Sequence, residues 1–450
     1  VNALLKISIA AWLVLWLVPS AFGENRSAGG VGELRFADDL VGPISASVYS
    51  LPSALIDADE AGALLAAVRA HAPGRELLVL GDEEQRRRLG PSVRELELVW
   101  LESGELAFSP WPRDPLSFGR GESGAVRLLA RPNLQTGREA DFSMARQITG
   151  ELPEEIDRAW GGVGWLRSPV PFHNGHLLSV GETLWLSLHS LEPRILEILG
   201  EPRVPVASFA TPGGVERYLG AARRAAAELG ELFGREVRFV HPLPETGTAR
   251  ERSAVMAVLG GGAGFDLDAL VTFLPGDEKD GPPRALVADL GAGGRLASGL
   301  SVPELESFRR GFELAPAAAD LGALLAEAQK SPRALALGRF LDLVARHLES
   351  SGLEVERLPF LLVPAKLLAD REGVDFVDFP VGWNNAVIEA GAGRVRAEAF
   401  SMHLPAGDEL ARSAFERFGA ELVLLPPLRR SIVLGGGYRC ASNHLRSSAR

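Results

Sequence analysis

The sequence predicts one α/β architecture built from repeated units. Three observations carry that expectation. Short β-rich runs alternate with helical stretches at fairly regular spacing, no long low-complexity linker interrupts them, and several strand segments are expected to end in a polar or glycine-bearing turn. A chain of 450 residues accommodates roughly two to four ordinary domains, or one large architecture made of repeats. The continuous alternation favours the second.

The elements are taken in chain order. Leu4-Leu5-Lys6, the apolar stretch 7–18 and Pro19-Ser20-Ala21-Phe22-Gly23 have the form of an export signal: a positive charge, a core too short to span comfortably, and small residues at a cleavage site. Residues 1–23 are therefore expected to direct the chain to a secreted or periplasmic location, with an uncleaved anchor as the alternative, and 24–450 to form a single domain. Strands are expected at 76–80, 95–101, 177–188, 237–240, 269–274, 285–289, 376–379, 386–389 and 421–425, and helices at 61–71, 214–233, 301–312, 332–350 and 408–418. In the helical stretches apolar residues fall three and four apart, as in Leu337, Phe340, Leu341, Val344 and Leu348. The Ala/Leu-rich stretch 313–330 reads as an inserted helix or a lid.

Composition excludes several function classes. A formal charge of −11 argues against the broad basic surface of a nucleic-acid binder and favours cationic small molecules or arginine-rich peptides. Arg86-Arg87-Arg88 is flanked by Glu83 and Glu84, as on a solvated helix face. The single cysteine, Cys440, permits no internal disulfide, so an exported protein must rely on its core.

Five polar turns mark the repeats: 111–114, 173–176, 265–268, 383–385 and 437–440. The last contains the lone thiol, in Gly435-Gly436-Gly437-Tyr438-Arg439-Cys440, after the apolar run 432–434. Read as a strand ending in three glycines, this segment turns sharply and leaves Cys440 at a pocket mouth. A buried hydrophobic cysteine is the alternative. In Trp111-Pro112-Arg113-Asp114, a proline-stiffened turn holds a carboxylate beside an arginine, either as a cation pocket or as a local Arg–Asp pair.

These residues carry a resemblance. Trp111-Pro112-Arg113-Asp114, Trp383-Asn384-Asn385 with the following 386–391, and the glycine-rich segment ending in Cys440 resemble the agmatine deiminase and bacterial peptidylarginine deiminase branch of the pentein superfamily, from about residue 77 to 446. The resemblance implies a five-bladed α/β propeller of ββαβ-type units with its site on the central axis. It also implies a guanidino C–N hydrolase that forms a covalent thiouronium intermediate and needs no cofactor. His173, His176, Asp266 and Asp268 are ligand types that suit a metal, but nothing in their spacing requires one. Cys440 then matches the nucleophile, Asp114 the first carboxylate with Trp111 and Arg113 beside it in substrate binding, Asp268 the carboxylate of the family's His-x-Asp motif, and Asn385 a pocket asparagine. A thiolate is the competent nucleophile, carboxylates match the guanidinium fork, and departing ammonia needs a proton donor.

One departure stands out. Asp266 occupies the place of the family's histidine, and an unperturbed carboxyl titrates well below neutrality. Asp266 serves as an acid only if burial or Asp268 raises its pKa. His176, in the segment that aligns with the family's Gly-Gly-Asn, offers an imidazole from another unit, and His173 and His176 as plain turn residues are the alternative. The substrate is a small or peptidyl guanidine, with no nucleic acid, and with membrane contact only through an uncleaved leader. A silent pentein that binds a cationic ligand or partner, and an amidinotransferase, are the competing functions. Two glycine-rich stretches have plainer readings. Ala288-Asp289-Leu290-Gly291-Ala292-Gly293-Gly294 resembles a methyltransferase loop but also suits a turn after a buried strand, and 260–264 lacks the Lys and Ser/Thr of a phosphate loop.

Overall fold

In the computed structural model the described residues are 34–447, apart from 37–38, 41, 105, 132–137, 173–174, 176, 202–211, 244–265, 277–280, 372–373, 375–376 and 392. The leader 1–23, the glycine run 260–264, and His173 and His176 lie outside the described residues.

The described strands form five small sheets that repeat one pattern. An antiparallel pair is followed by helix, and the chain then returns as a strand parallel to the second member. Leu116–Arg120 and Val126–Ala130 pair in this way before Gly164–Arg167. So do Leu177–Val180 and Thr183–Leu186 before Glu236–Phe239. Val271–Leu274 and Arg284–Asp289 precede Glu354–Pro364, to which Asp378–Gly382 is added. Val387–Gly391 and Arg394–Phe400 precede Ala420–Leu425. The remaining sheet joins the two ends of the described chain. Ser442–Arg446 lies antiparallel to Ile44–Ser50, which is parallel to Glu76–Gly81, itself parallel to Val99–Glu102. The mixed α/β expectation is met, and the parallel returns run through helices as such crossovers require.

The helices form where apolar spacing and end chemistry agree. Asp57 caps Ala58–His71 by accepting from the amides of Asp59 and Glu60, and Ala61, Leu64, Leu65 and Val68 make its buried face. Ser331 caps Pro332–Ser350, whose proline sits in the first turn where no amide donor is needed, and the five residues picked out by their spacing are all buried. The stretch 313–330 contains the helix Ala318–Ala328, with Leu321 and Leu325 buried. Gln329 then ties it to the sheet, donating to Leu362 O and accepting from Leu362 N. It is a packed helix rather than a lid.

Three local expectations are corrected, and the glycine-rich 288–294 keeps the plainer of its two readings, following the buried strand Arg284–Asp289. The run 432–434 is not a strand: Arg429–Val433 is a short helix, after which Gly435, at φ +100°, turns the chain toward Cys440. The expected strand 177–188 is a hairpin, turned at Gly181 with φ +56°. The start of 95–101 is helical, as the end of Ser92–Glu95, and the strand is Val99–Glu102. Ala288–Gly294 is a packing motif. Asp289 caps the helix Leu290–Gly299 with its own carboxylate, and a β-carbon on Gly293 would sit 2.0 Å from Phe360 O, so glycine lets helix and strand touch.

Candidate active site

The turns expected to end strands instead precede them, each at an equivalent place. Asp114, Gly175, Asp268, Asn385 and Cys440 come two or three residues before the first strands of the five sheets, which begin at Leu116, Leu177, Val271, Val387 and Ser442. Equivalent placement gathers them.

Cys440 is held first by Asn385. Its amide donates to Asn385 Oδ1 at 3.0 Å, and Asn385 Nδ2 donates to Cys440 Sγ at 3.1 Å and to Asp268 Oδ1 at 2.9 Å. The sulfur lies 3.6 and 3.7 Å from the two oxygens of Asp268. Two glycines make this approach sterically feasible. A β-carbon on Gly437 would fall 2.5 Å from that of Asn385, and one on Gly436 would fall 2.2 Å from Trp111 Nε1. Trp111 uses that nitrogen to donate to Ser431 at 3.0 Å.

The carboxylates complete the cluster. Donor atoms of Asp266, Asp268 and Cys440 all lie within 4.8 Å of one another. Gly175 stands between Asp266 and Asp114: a β-carbon there would be 2.3 Å from Asp266 Oδ2 and 3.2 Å from Asp114 Oδ1. Asp114 is buried, and its Oδ1 has no hydrogen-bond partner among the described residues.

Arginines, absent from the sequence expectation in these roles, occupy the outer oxygens. Arg439 donates to Asp268 Oδ2 at 2.6 Å and to Asp39 at 3.0 Å. Arg138 donates to Asp114 Oδ2 at 2.8 Å and to Asp141 at 2.9 Å, with its guanidinium 4.6 Å from the centroid of the Trp111 ring. Arg113 turns away from its neighbour Asp114 and donates to Asp39 at 2.9 Å, so the local Arg–Asp pair does not form. Arg439 could have been flagged by its position next to the thiol, whereas nothing local distinguishes Arg138 or Asp39. A cavity of about 70 Å³ is lined by Asp39, Arg113, Arg439 and Arg446, and Cys440 is not among its walls.

Burial and mutual repulsion set the protonation states. Burial pushes Asp268 up to about 6, with Arg439 opposing and Asp266 adding to the shift. Burial also raises Asp266 and Asp114 above the usual carboxylate range. The Cys440 thiol is pushed well above its ordinary range by burial and by Asp268, Asp266 and Asp114. The resting site holds a thiol, and it is short of positive charge. A further imidazole, missed in the sequence, stands near Asp266. His189 pairs through Nδ1 with Glu192 at 2.8 Å. Burial opposes its protonation, but Glu192 and the charge of Asp266 prevail and raise its pKa.

Solved structures place this arrangement in a known fold. The C. jejuni agmatine deiminase superposes with a TM-score of 0.53 at 11% identity, covering 93% of this chain and 97% of its own. The agmatine deiminase of Enterococcus faecalis superposes with a TM-score of 0.51 at 14% identity, covering 94% of this chain and 99% of its own. The chain has the agmatine deiminase fold. No protein-family profile matches the sequence, and no curated protein matches it.

Proposed function

We propose that this chain is an exported deiminase-type hydrolase of a guanidino C–N bond, with Cys440 as nucleophile. The observation that carries the reading is the buried thiol against Asn385 and Asp268, with Asp266 and the open oxygen of Asp114 beside it. Three carboxylates and a sulfur suit a planar cation presented edge-on to acids and face-on to a nucleophile. Five ββαβ units, closed by one sheet that takes strands from both chain ends, support a five-bladed ring of the pentein type around that site. Residues 24–450 then form one domain, and the leader pattern in 1–23 supports a secreted or periplasmic location.

In this reading the bound guanidinium lies among Asp114, Asp266 and Asp268. The sulfur attacks the guanidinium carbon as its proton passes to Asp268. The departing nitrogen takes a proton from Asp266, the C–N bond breaks, and ammonia leaves a thiouronium on Cys440. Water then adds to the same carbon and gives its proton to a carboxylate, the C–S bond breaks, and a ureido product departs. One water is consumed and one ammonium released. The raised pKa values of Asp266 and Asp268 suit them to hold a proton near neutrality. His176 and His189 are the imidazoles that could assist.

A second reading is a protein that binds a cationic ligand or partner without turnover. It is favoured by Asp266 in place of an imidazole, and by Arg439 and Arg138, whose guanidiniums already engage Asp268 and Asp114. Ammonia release from agmatine, free arginine, dimethylarginine and arginine peptides, measured for the wild type and for Cys440→Ala, separates the two. Turnover lost in the variant supports the hydrolase. Equal binding of one guanidine by both proteins, with no ammonia from any, supports the binder.

A further inference from the structure

We infer that Asp39 is a positioning residue for the Cys440 site: its carboxylate holds the turns that carry Asp114, Gly175 and Cys440 in register from behind. Asp39 belongs to none of the five turns and lies between the strands Arg35–Phe36 and Ile44–Ser50. Its carboxylate accepts from three separate units. Arg113, next to Asp114, donates to Oδ1 at 2.9 Å, and Arg439, next to Cys440, donates to Oδ2 at 3.0 Å. The amide of Ser179, in the strand that follows Gly175, donates to Oδ2 at 2.8 Å. The backbone of Asp39 is fixed as well, its amide donating to Ser179 O at 2.8 Å and its carbonyl accepting from Arg446 at 2.7 Å.

Charge explains why an acid stands there. Arg113 and Arg439 repel each other, and burial together with the Arg439 charge lowers the pKa of the Arg113 guanidinium. A carboxylate shared between them turns that repulsion into a bridge. Burial opposes the ionisation of Asp39, but Arg113, Arg439 and the Ser179 amide outweigh it and hold its carboxyl well below the usual range. Arg439 carries the link forward. Its other terminal nitrogen donates to Asp268 Oδ2 at 2.6 Å, and the two oxygens of Asp268 lie 3.6 and 3.7 Å from Cys440 Sγ. Asp39 thus acts on the sulfur through two other residues, from a cavity whose walls do not include Cys440. Loss of the bridge lets the Asp114 and Cys440 turns move relative to each other. That shifts the sulfur against a guanidinium held by acids, and so falls on kcat more than on KM.

The kinetic part of this inference rests on the hydrolase reading. Asp39→Asn and Asp39→Glu, each checked by circular dichroism and a thermal melt, are compared with the wild type for ammonia release. They are also compared for the thiolate midpoint of Cys440, followed by ultraviolet thiolate absorbance with the Cys440→Ser form of each protein as blank. Asp268, Asp266 and Asp114 face the thiol and Arg439 flanks it, so removing the negative charge behind Arg439 moves that midpoint down. In Asp39→Asn, kcat should fall by about 10- to 100-fold with KM nearly unchanged, and the midpoint should drop. Asp39→Glu, which keeps the charge but displaces the carboxylate, should hold the wild-type midpoint and lose less of kcat. A folded Asp39→Asn with the wild-type kcat and midpoint would overturn the inference, as would a loss of kcat in both variants with neither midpoint moved. Should Asp39→Asn not fold, a wild-type kcat in Asp39→Glu overturns it and a lowered one supports it. A wild type that releases ammonia and is matched by both variants leaves the hydrolase standing without this role for Asp39. If no guanidine is turned over, the hydrolase reading falls and the midpoints alone decide: a drop confined to Asp39→Asn supports the role, and equal midpoints end it.

Discussion

Two buried polar clusters flank Tyr438-Arg439-Cys440, and they are built on opposite principles. On the Tyr438 side, Arg75 donates to both oxygens of Glu398 at 2.8 Å and to Glu389 at 3.1 Å, and Tyr438 donates to Glu398 at 3.0 Å and contacts the Tyr49 hydroxyl at 2.9 Å. Its principal charges face opposite charges. On the Cys440 side, Asp114, Asp266 and Asp268 crowd a thiol, Asp114 Oδ1 has no donor among the described residues, and all three carboxyls are held above their usual range. Balanced charge holds a turn in place; on the Cys440 side Arg439 and Arg138 take outer oxygens, and the crowding of acids that remains is what a bound cation would relieve.

The largest effect comes from breaking the matched side. Glu398→Ala leaves Arg75 buried with only Glu389, and uncompensated buried charge typically costs about 3–5 kcal/mol. The urea midpoint should fall sharply, with the Cys440 turn loosened as a consequence. A midpoint close to the wild type would show that the network is not what secures this turn.

The same contrast recurs between two histidines. His241 is fully buried; its Nδ1–H donates to Pro242 O at 3.1 Å, and its Nε2 accepts from the Leu188 amide at 3.3 Å, a pattern only the neutral ring can satisfy. Burial lowers its pKa to about 4, whereas His189, next in sequence to the Leu188 that bonds this ring, is raised by Glu192 and Asp266. The sign follows directly. Between about pH 6.5 and 4 the unfolded imidazole binds a proton that the folded one refuses, so stability falls as pH drops through that window, by on the order of 2–3 kcal/mol. Replacing His241 with Gln should flatten the pH dependence of the thermal midpoint across this interval. An unchanged slope would assign the acid sensitivity elsewhere.

The acid-crowded side should respond in the opposite sense. Asp266→Asn keeps the shape and removes a negative charge that raises both Asp268 and Cys440. Stability near pH 8 should hold or rise, while guanidine affinity falls by about 10- to 100-fold, the usual worth of a hydrogen bond to a charged group. Isothermal titration with agmatine and a thermal melt on the same sample measure both. A clear loss of stability would place Asp266 with the structural pairs and dissolve the contrast.

How much of this could be read from the chain depends on range. The helices were legible because caps and apolar spacing are local, and the site turns were legible because each concentrates Asp, Asn, Gly or Cys within a few residues. Sheet closure was not: Ser47 meets His444 across 397 positions, and nothing in Ile44–Ser50 names Ser442–Arg446 as its partner. Charge pairing failed for the same reason. Arg113 has Asp114 beside it in sequence yet reaches Asp39, and Arg138 reaches Asp114 from 24 positions away. The run 432–434 was misread because three apolar residues carry no period, so strand and helix look alike. The hairpin turn at Gly181-Glu182 did leave a signal, a glycine within an apolar run.

The smallest predicted effect tests how finely the matched network is tuned. Tyr438 gives its proton to Glu398, so the short contact between hydroxyls requires Tyr49 to donate and Tyr438 to accept. Both rings are fully buried, and burial raises both phenols, Tyr49 to about 12, so both carry protons at neutral pH. Tyr49→Phe removes one donor and leaves an acceptor with a remaining bond, a loss of about 0.5–1.5 kcal/mol. The Tyr438–Glu398 bond survives, and with it the position of Cys440, so iodoacetamide should alkylate the thiol at the wild-type rate. A thiol that reacts markedly faster in Tyr49→Phe would mean that the outermost hydroxyl also helps hold Cys440 in place, and that the boundary between the two clusters lies further from the thiol than Tyr438.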